Sequence, residues 1–279
     1  MTHTRRALTE LLEHHDLGPS RALGQNFVVD PNTVRRIARL AGVGPGTPVV
    51  EIGAGLGSLT LALVETGAEV TAVEVDRYLL PILREVVADH PVRVVGGDAM
   101  RLDWAEVLAG HDRWALVANL PYNVATPLVL DLLAGVPAIE RMLVMVQREA
   151  GERLAAEPGS GVYGIPSVKV ALRARARIVG KVGPDVFLPR PRVDSALVEI
   201  VRRDVPATDA DPDRLVALVE RAFGQRRKML RRSLAGVVAP EAFVAAGIDP
   251  EDRPERLSVE DWGRLTHAVE RPPPEGTAT

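Results

Sequence analysis

Cysteine is absent from this chain of 279 residues. Its absence excludes disulfides, zinc–thiolate sites and a cysteine nucleophile. Long apolar runs are also missing, since none approaches the roughly 18 residues that a membrane span needs. The first fifteen residues are polar and charged, without the apolar core of a signal peptide. We therefore expect a soluble, cytoplasmic protein with no membrane partner.

Clusters of metal ligands are lacking as well. The six histidines are scattered along the chain, and no spacing typical of a metal site or of a Ser–His–Asp triad appears. We expect no bound metal.

Net charge is small overall but unevenly placed. The net charge is −3, yet residues 51–150 carry 7 basic and 14 acidic side chains while residues 151–250 carry 17 and 12. A local basic excess is enough to bind phosphate groups, because distant charges are screened. The acidic total therefore does not exclude a nucleic-acid partner.

Short apolar runs alternate with helical stretches through the first half of the chain. The runs lie at 48–52, 69–75, 92–95, 115–118 and 142–146, and the helical stretches include 58–65, 78–88 and 127–133. This alternation predicts an α/β fold with a parallel sheet covered by helices on both faces. A strand pair at 175–182 and 195–202 follows, and then helices at 214–223, 226–234 and 260–269.

Composition suggests two domains. We assign residues 1–203 to the α/β domain and 204–270 to a small helical domain, with a linker at 204–213 that is rich in aspartate and proline. The end of the chain, 271–279, contains three prolines and is predicted to be disordered.

A glycine-rich turn follows the first predicted strand, in the segment 51–58 (EIGAGLGS). Gly53 and Gly55 permit a tight turn and close backbone approach to a ligand, although such a turn can also exist without one. Glu74 ends the next predicted strand, where a carboxylate can accept hydrogen bonds from both hydroxyls of a ribose. Together they predict an adenosine-containing cofactor. Asp98 is placed to reach an adenine amino group, or is simply a solvated loop residue.

The sequence 119–122 (NLPY) ends the fourth predicted strand, at the edge where open α/β sheets bind ligands. An adenine amino nitrogen is a poor nucleophile because its lone pair is delocalised into the ring. The Asn119 Oδ1 atom and the Leu120 carbonyl can accept its two hydrogens and so favour the reactive pyramidal form. Pro121 stiffens the turn, and Tyr122 offers a ring on which a base can stack. Thr126 and Pro127 then predict a helix start.

Two basic clusters occupy the second half. Arg173, Arg175, Arg177 and Lys181 lie near one predicted strand, followed by Arg190 and Arg192. The other cluster lies on the predicted helix 226–234 and consists of Arg226, Arg227, Lys228, Arg231 and Arg232. Runs of charged residues usually form solvent-exposed surfaces without a ligand. In a protein that modifies a nucleic-acid base, however, we predict that this second cluster binds RNA.

These motifs, in this order, resemble the KsgA/RsmA family of ribosomal RNA small-subunit adenine N6-dimethyltransferases. The match runs from about Leu23 to Leu234. It is carried by the segments 23–27 (LGQNF), 51–60 (EIGAGLGSLT), 97–100 (GDAM), 119–127 (NLPYNVATP), 147–149 (QRE), 163–164 (YG), 187–196 (FLPRPRVDSA) and 223–228 (FGQRRK).

The resemblance implies a Rossmann-like class I methyltransferase sheet that binds S-adenosylmethionine and releases S-adenosylhomocysteine. It implies that Phe187 sandwiches a flipped adenine with Tyr122. It further implies dimethylation of two adjacent adenines near the 3′ end of 16S rRNA in an immature small ribosomal subunit. Separately, we expect the protein to be monomeric when free. The implied cofactor contacts are Asn26, the backbone of Val28, Gly53, Glu74, Asp98 and Asn119.

The chain departs from the family pattern at three positions. Ala54 replaces a common proline, Val28 a usual leucine, and Ala125 a usual serine beside the target site.

Three alternatives stay open. One is the antibiotic-resistance type of methyltransferase that acts on large-subunit rRNA, whose motif typically reads Asn-Ile-Pro-Tyr. A second is a non-catalytic RNA-binding assembly factor on the same fold. The third, an NAD-dependent oxidoreductase, is disfavoured by the glycine spacing.

Overall fold

The computed structural model describes residues 2–20 and 22–270, and the predicted tail 271–279 lies outside them. Strands and helices alternate through the first half. In chain order they are α1 (Arg5–His14), β1 (Phe27–Val28), α2 (Pro31–Ala41), β2 (Pro48–Ile52), α3 (Ser58–Val64), β3 (Glu69–Glu74), α4 (Leu79–Val86), β4 (Val92–Gly96), α5 (Trp104–Val107), β5 (Trp114–Asn119), α6 (Ala125–Gly135) and β6 (Ile139–Gln147).

The second half is mainly helical. Its elements are α7 (Arg148–Leu154), α8 (Ile165–Arg173), β7 (Ala174–Val182), β8 (Phe187–Leu188), β9 (Ser195–Arg202), α9 (Pro212–Phe223), α10 (Leu230–Ser233), α11 (Pro240–Ala246) and α12 (Val259–Glu270). No helix within the described ranges is long and apolar enough to span a membrane.

Seven strands form the central sheet, in the order β4-β3-β2-β5-β6-β9-β7. The five strands from β4 to β6 are parallel, and β9 runs antiparallel to β6. The short strands β1 and β8 pair separately. Because β2, β3, β4 and β5 are parallel, their carboxyl ends meet at one edge of the sheet.

Helices cover both faces of this sheet. Strand β5 has five successive buried residues, which requires cover on each side. On one face, Val34 and Ile37 of α2 pack in a cluster with Val49, Val117 and Leu143 of the strands. The predicted Rossmann-like α/β fold is therefore confirmed.

The chain divides into two compact units. The first holds the sheet, and the second comprises residues 153–175 together with the chain from Arg203 onward. The second unit has its own apolar core, which includes Tyr163, Leu172, Leu215 and Trp262. The sequence-based boundary placed 153–175 in the first domain. It differs because α8 packs on α9, a pairing between segments that are distant in the chain.

Two predicted helix boundaries are wrong. The predicted helix 226–234 begins only at Leu230, because residues 224–228 form turns after α9 and Met229 is extended. Arg227 and Lys228 therefore share no helix face with Arg231. In α6, the helix already starts at Ala125 and Thr126 is not its N-cap, because the Ala125 N–H donates to the Pro121 carbonyl and the preceding turn continues into the helix.

Candidate active site at the carboxyl edge of the sheet

The glycine turn joins β2 to α3 and brings the backbone close to its neighbours. Gly53, Gly55 and Gly57 have φ angles of 76°, 58° and 81°, a region that favours glycine. A Cβ atom on Gly55 would lie 3.0 Å from the Phe27 ring, and one on Gly53 would lie 3.5 Å from the Asn119 carbonyl oxygen. The positive φ angles of both residues, together with the close Phe27 ring at Gly55, therefore favour glycine in this turn.

Glu74 presents a buried carboxylate beside this turn. Its Oε2 atom accepts a hydrogen bond from the Gly55 N–H at 2.6 Å, and Oε1 accepts one from the Asp76 N–H at 2.8 Å. Burial raises the pKa of Glu74 despite these two bonds. A carboxylate has about four acceptor positions, so it can still accept hydrogen bonds from a ligand.

A second carboxylate, Glu51, lies at the start of the turn and is 1% exposed. Its Oε2 atom accepts a hydrogen bond from the Thr60 hydroxyl at 2.6 Å. Burial, with a smaller contribution from the nearby Glu74, raises the pKa of Glu51 to about 8, although the hydrogen bond from Thr60 acts to lower it. Sequence reasoning assigned Glu51 no role, although its position at the head of the glycine motif could have singled it out.

Asn119 ends β5 with its amide held in one orientation. The Nδ2 atom donates to the Asn26 carbonyl at 2.9 Å. A carbonyl can only accept, so the amide nitrogen must face it and Oδ1 must point the other way. Oδ1 accepts no hydrogen bond from the described part of the chain. It is therefore available to a donor on a ligand.

The next three residues form the turn that precedes α6. The Leu120 N–H donates to the Met145 carbonyl at 3.1 Å, while the Leu120 carbonyl accepts no hydrogen bond from residues 2–20 and 22–270. Tyr122 is half-buried, and its hydroxyl lies 2.8 Å from the Ser195 Oγ atom. Burial raises the pKa of Tyr122.

The segment before β1 closes one side of the site. A Cβ atom on Gly24 would lie 3.1 Å from the Asn123 Oδ1 atom, which shows how closely the segment approaches the 119–123 turn. The Gln25 Nε2 atom donates to the Asp76 carboxylate at 2.9 Å. Neither Gln25 nor Asp76 was predicted as a site residue, although Gln25 lies in the segment 23–27 (LGQNF) and Asp76 lies two residues beyond Glu74.

Two cavities gather most of the predicted site. The first is lined by 23–27, Gly53, Gly55, Glu74, Val75, Leu79 and 119–122. The second shares Phe27, Gly53 and Asn119 with the first, and adds Val28, Glu51 and Ser58 among others. The structure thus brings together Asn26, Val28, Gly53, Gly55, Glu74, Asn119, Leu120, Pro121 and Tyr122.

Asp98 and Phe187 do not line either cavity. Asp98 follows β4 at the same sheet edge, where its carboxylate is largely exposed and accepts from the Met100 N–H at 3.0 Å. Phe187 is 0% exposed. Its ring packs in the same core cluster as Val28 and Leu197, and β8 pairs with β1. The prediction that it stacks on a base therefore does not fit this structure, since a buried ring has no face to offer.

The basic cluster of 226–232 separates into paired and unpaired side chains. Arg226 donates to the Gly161 carbonyl at 2.8 Å and lies 3.8 Å from Glu255, and Arg231 lies 3.1 Å from Glu251. Arg227, Lys228 and Arg232 are exposed, and their side chains have no ion pair within the described residues. Among all the residues that the structure describes, no group of three or more His, Cys, Asp or Glu side chains could hold a metal ion.

The raised pKa of Glu51 predicts a pH-dependent stability. The pKa is about 8 in the folded protein and 4.5 in its ordinary state, so the folded protein binds more protons between these values. The contribution of Glu51 to the free energy of unfolding is therefore fully present below about pH 4.5 and is lost as pH rises through about 8. The free energy of unfolding of the unchanged protein should therefore fall by a few kcal/mol, at about 1.4 kcal/mol per pKa unit. We expect Glu51→Gln, which keeps an uncharged acceptor for Thr60, to remove this fall.

Urea unfolding at about pH 5.5 and pH 8 measures this fall. Glu13→Gln, on the exposed side of α1, is the matched control and should keep the pH dependence of the unchanged protein. Equal pH dependence in the unchanged protein and in Glu51→Gln would show that Glu51 is ionised throughout.

Comparison with known proteins places this chain in a family. The model of the family described as "Ribosomal RNA adenine dimethylase" matches residues 20–270. A protein of Kineococcus radiotolerans named "Ribosomal RNA small subunit methyltransferase A" is 50% identical over 277 residues, which cover 96% of this chain and 91% of that protein. A protein of the same name from Streptomyces coelicolor is 50% identical over 259 residues, which cover 88% of this chain and 90% of that protein.

Solved structures agree with this fold. The 23S rRNA methyltransferase ErmE has a TM-score of 0.69 and 28% identity, covering 88% of this chain and all of that one. A dimethyladenosine transferase from Plasmodium falciparum has a TM-score of 0.72 and 22% identity, and the match covers 85% of this chain and 94% of that one. The match of the family model over nearly the whole chain, together with relatives of 50% identity, shows that this protein belongs to the ribosomal RNA adenine dimethylases.

Proposed function

We propose that this protein transfers methyl groups from S-adenosylmethionine to the N6 atoms of two adjacent adenines near the 3′ end of 16S rRNA, within an immature small ribosomal subunit. The proposal rests on two hydrogen-bond acceptors at the end of β5, the Asn119 Oδ1 atom and the Leu120 carbonyl. Neither of them accepts a hydrogen bond from the described residues. The 50% identity to proteins named for the small subunit, against 28% to ErmE, supports the small subunit as the substrate.

The residues at the glycine turn fit an adenosyl sulfonium cofactor. Glu74 would accept hydrogen bonds from the ribose hydroxyls, and Gly53 and Gly55 would let the backbone approach. Among the described residues, the Ser58 Oγ atom is buried without a hydrogen-bond partner in a cavity that also contains Glu51, so this cavity offers polar groups to a polar, cationic ligand. Asn26, the Val28 backbone and Asp98 complete the proposed contacts. The cofactor supplies an already activated methyl group, so no metal is required.

The chain's own contribution is to prepare the adenine amino group. Two acceptors aimed at its hydrogens draw the nitrogen out of conjugation with the ring, which frees the lone pair for attack. The bond from Asn119 Nδ2 to Asn26 keeps one acceptor fixed before the base arrives, so no reorganisation is needed during the reaction. We therefore assign the catalytic role to Asn119 and Leu120, with Pro121 stiffening the turn between them and Tyr122.

Tyr122 supports the target base from one side. A paired adenine hides its amino group, so the substrate must be an unstacked or loop nucleotide held against an aromatic ring. Phe187 is left out of this proposal because its ring is buried. Since a ring does not distinguish bases, the choice of adenine must come from docking on the folded RNA.

Mapping the modified nucleotides tests this function. We expect immature small subunits incubated with the protein and S-adenosylmethionine to gain two neighbouring dimethyladenines, and protein-free large-subunit RNA to stay unmodified. Mass spectrometry of both RNAs detects the change. Modification confined to the large-subunit RNA would contradict the proposal and favour the resistance-type activity.

Docking is proposed to use the basic segment of the second unit. Within the described residues, Arg227, Lys228 and Arg232 are exposed without ion pairs, so they can bind phosphates without breaking an existing contact. Arg226 and Arg231 would first have to leave Glu255 and Glu251, so we expect them to contribute less. A ribosomal substrate also implies that the protein acts in the cytoplasm. We further expect it to be monomeric when free.

Neutralising the three unpaired side chains tests the docking surface. Arg227→Ala, Lys228→Ala and Arg232→Ala together should weaken RNA binding and lower the slope of log affinity against log salt by ~0.7–0.9 per lost phosphate contact, a coefficient derived for DNA. The control variant combines Arg6→Ala, Arg113→Ala and Arg214→Ala, whose side chains pair with Glu10, Glu140 and Glu270. It changes the net charge equally, so equal slopes for both variants would contradict the proposed surface.

A further inference from the structure

The hydroxyl of Ser195 contacts Tyr122, a residue of the proposed target site. Ser195 is 0% exposed, and its Oγ atom lies 2.8 Å from the Tyr122 hydroxyl. No other hydrogen bond to this Oγ atom is formed by the described residues. The tip of the Tyr122 ring is therefore fixed by one buried partner.

The sheet holds that partner rigidly. Ser195 begins β9 and pairs with Gln147 of β6, and the Arg148 N–H donates to the Asp194 carbonyl at 3.0 Å. On its other side, β6 pairs with β5, where Met145 lies opposite Asn119. The hydrogen bond thus joins the turn after β5 to a strand two positions away in the sheet.

We propose that Ser195 is a positioning residue for methyl transfer, which sets the angle of the Tyr122 ring and thereby the plane of the adenine that stacks on it. Without the bond, the ring can rotate about its side-chain torsions, because only part of it is buried. The stacked base would then present its amino group less often to Asn119 Oδ1 and the Leu120 carbonyl. The inference rests on the proposed stacking role of Tyr122.

Two hydroxyl deletions and their combination test the inference. Ser195→Ala and Tyr122→Phe each remove one partner, and each should slow single-turnover transfer to small subunits by about 3- to 10-fold, the effect of one neutral hydrogen bond. The double variant should be no slower than the slower single variant, because the same bond is lost. The affinity for cofactor and the KM for small subunits should stay unchanged while kcat falls.

Thr266→Val is the matched control. It removes a buried hydroxyl that donates to the Trp262 carbonyl within α12, and it should leave the transfer rate unchanged. All variants are assayed well below their unfolding temperatures. A loss of rate in the Thr266→Val control would attribute the effect of Ser195→Ala to general destabilisation and overturn the inference.

The remaining outcomes separate this inference from the proposed function. If Ser195→Ala slows transfer by the same factor with and without the Tyr122→Phe substitution, or not at all, then Ser195 does not act through Tyr122. Tyr122→Ala removes the ring itself and should cost about 5- to 150-fold, as expected for one stacked base. A Tyr122→Ala variant with the unchanged rate would overturn the stacking role itself, independently of the result for Ser195.

Discussion

One hydrogen bond, from the Asn119 Nδ2 atom to the Asn26 carbonyl, connects the parts of the site that the chain makes separately. Asn119 ends a central strand of the sheet, and Asn26 belongs to the segment that precedes β1. The bond fixes the segment over the carboxyl edge and turns the amide oxygen outward. The donor half of the amide therefore holds the wall of the cavity, and the acceptor half is left for the proposed contact with the adenine amino group.

The carboxylates extend this arrangement on the cofactor side. Glu74 holds the glycine turn through the Gly55 N–H and holds the next loop through the Asp76 N–H, while Asp76 binds Gln25. Hydrogen bonds thus connect the wall of the cavity both to the end of β5 and to the loop that follows β3. Burial of Glu51 and Glu74 raises the pKa of each and favours their neutral forms, and a cationic ligand would favour the ionised forms.

Periodicity and local motifs predicted the strands and the cavity well, because both depend on neighbouring residues. The turn 53–57, Glu74 and the 119–122 segment each lie directly at the end of a strand, so parallel pairing brings them together. The sequence could not reveal contacts between distant segments. The packing of α8 on α9, the burial of Phe187 and the partnership of Ser195 with Tyr122 all depend on tertiary structure. The predicted helix at 226–234 was wrong in its first half because the residues after α9 form a turn from Gly224 to Lys228, which their basic, helix-favouring composition does not indicate.

We propose that the outward-facing oxygen of Asn119 accelerates methyl transfer rather than merely supporting the cavity. The most direct measurement is the single-turnover rate of Asn119→Ala on immature small subunits, at cofactor concentrations shown by calorimetry to saturate the variant. We expect a rate lower by about 10²- to 10³-fold, as for the loss of one preorganised transition-state hydrogen bond. A rate within about tenfold of the unchanged protein under saturation would contradict it and assign Asn119 a structural role alone.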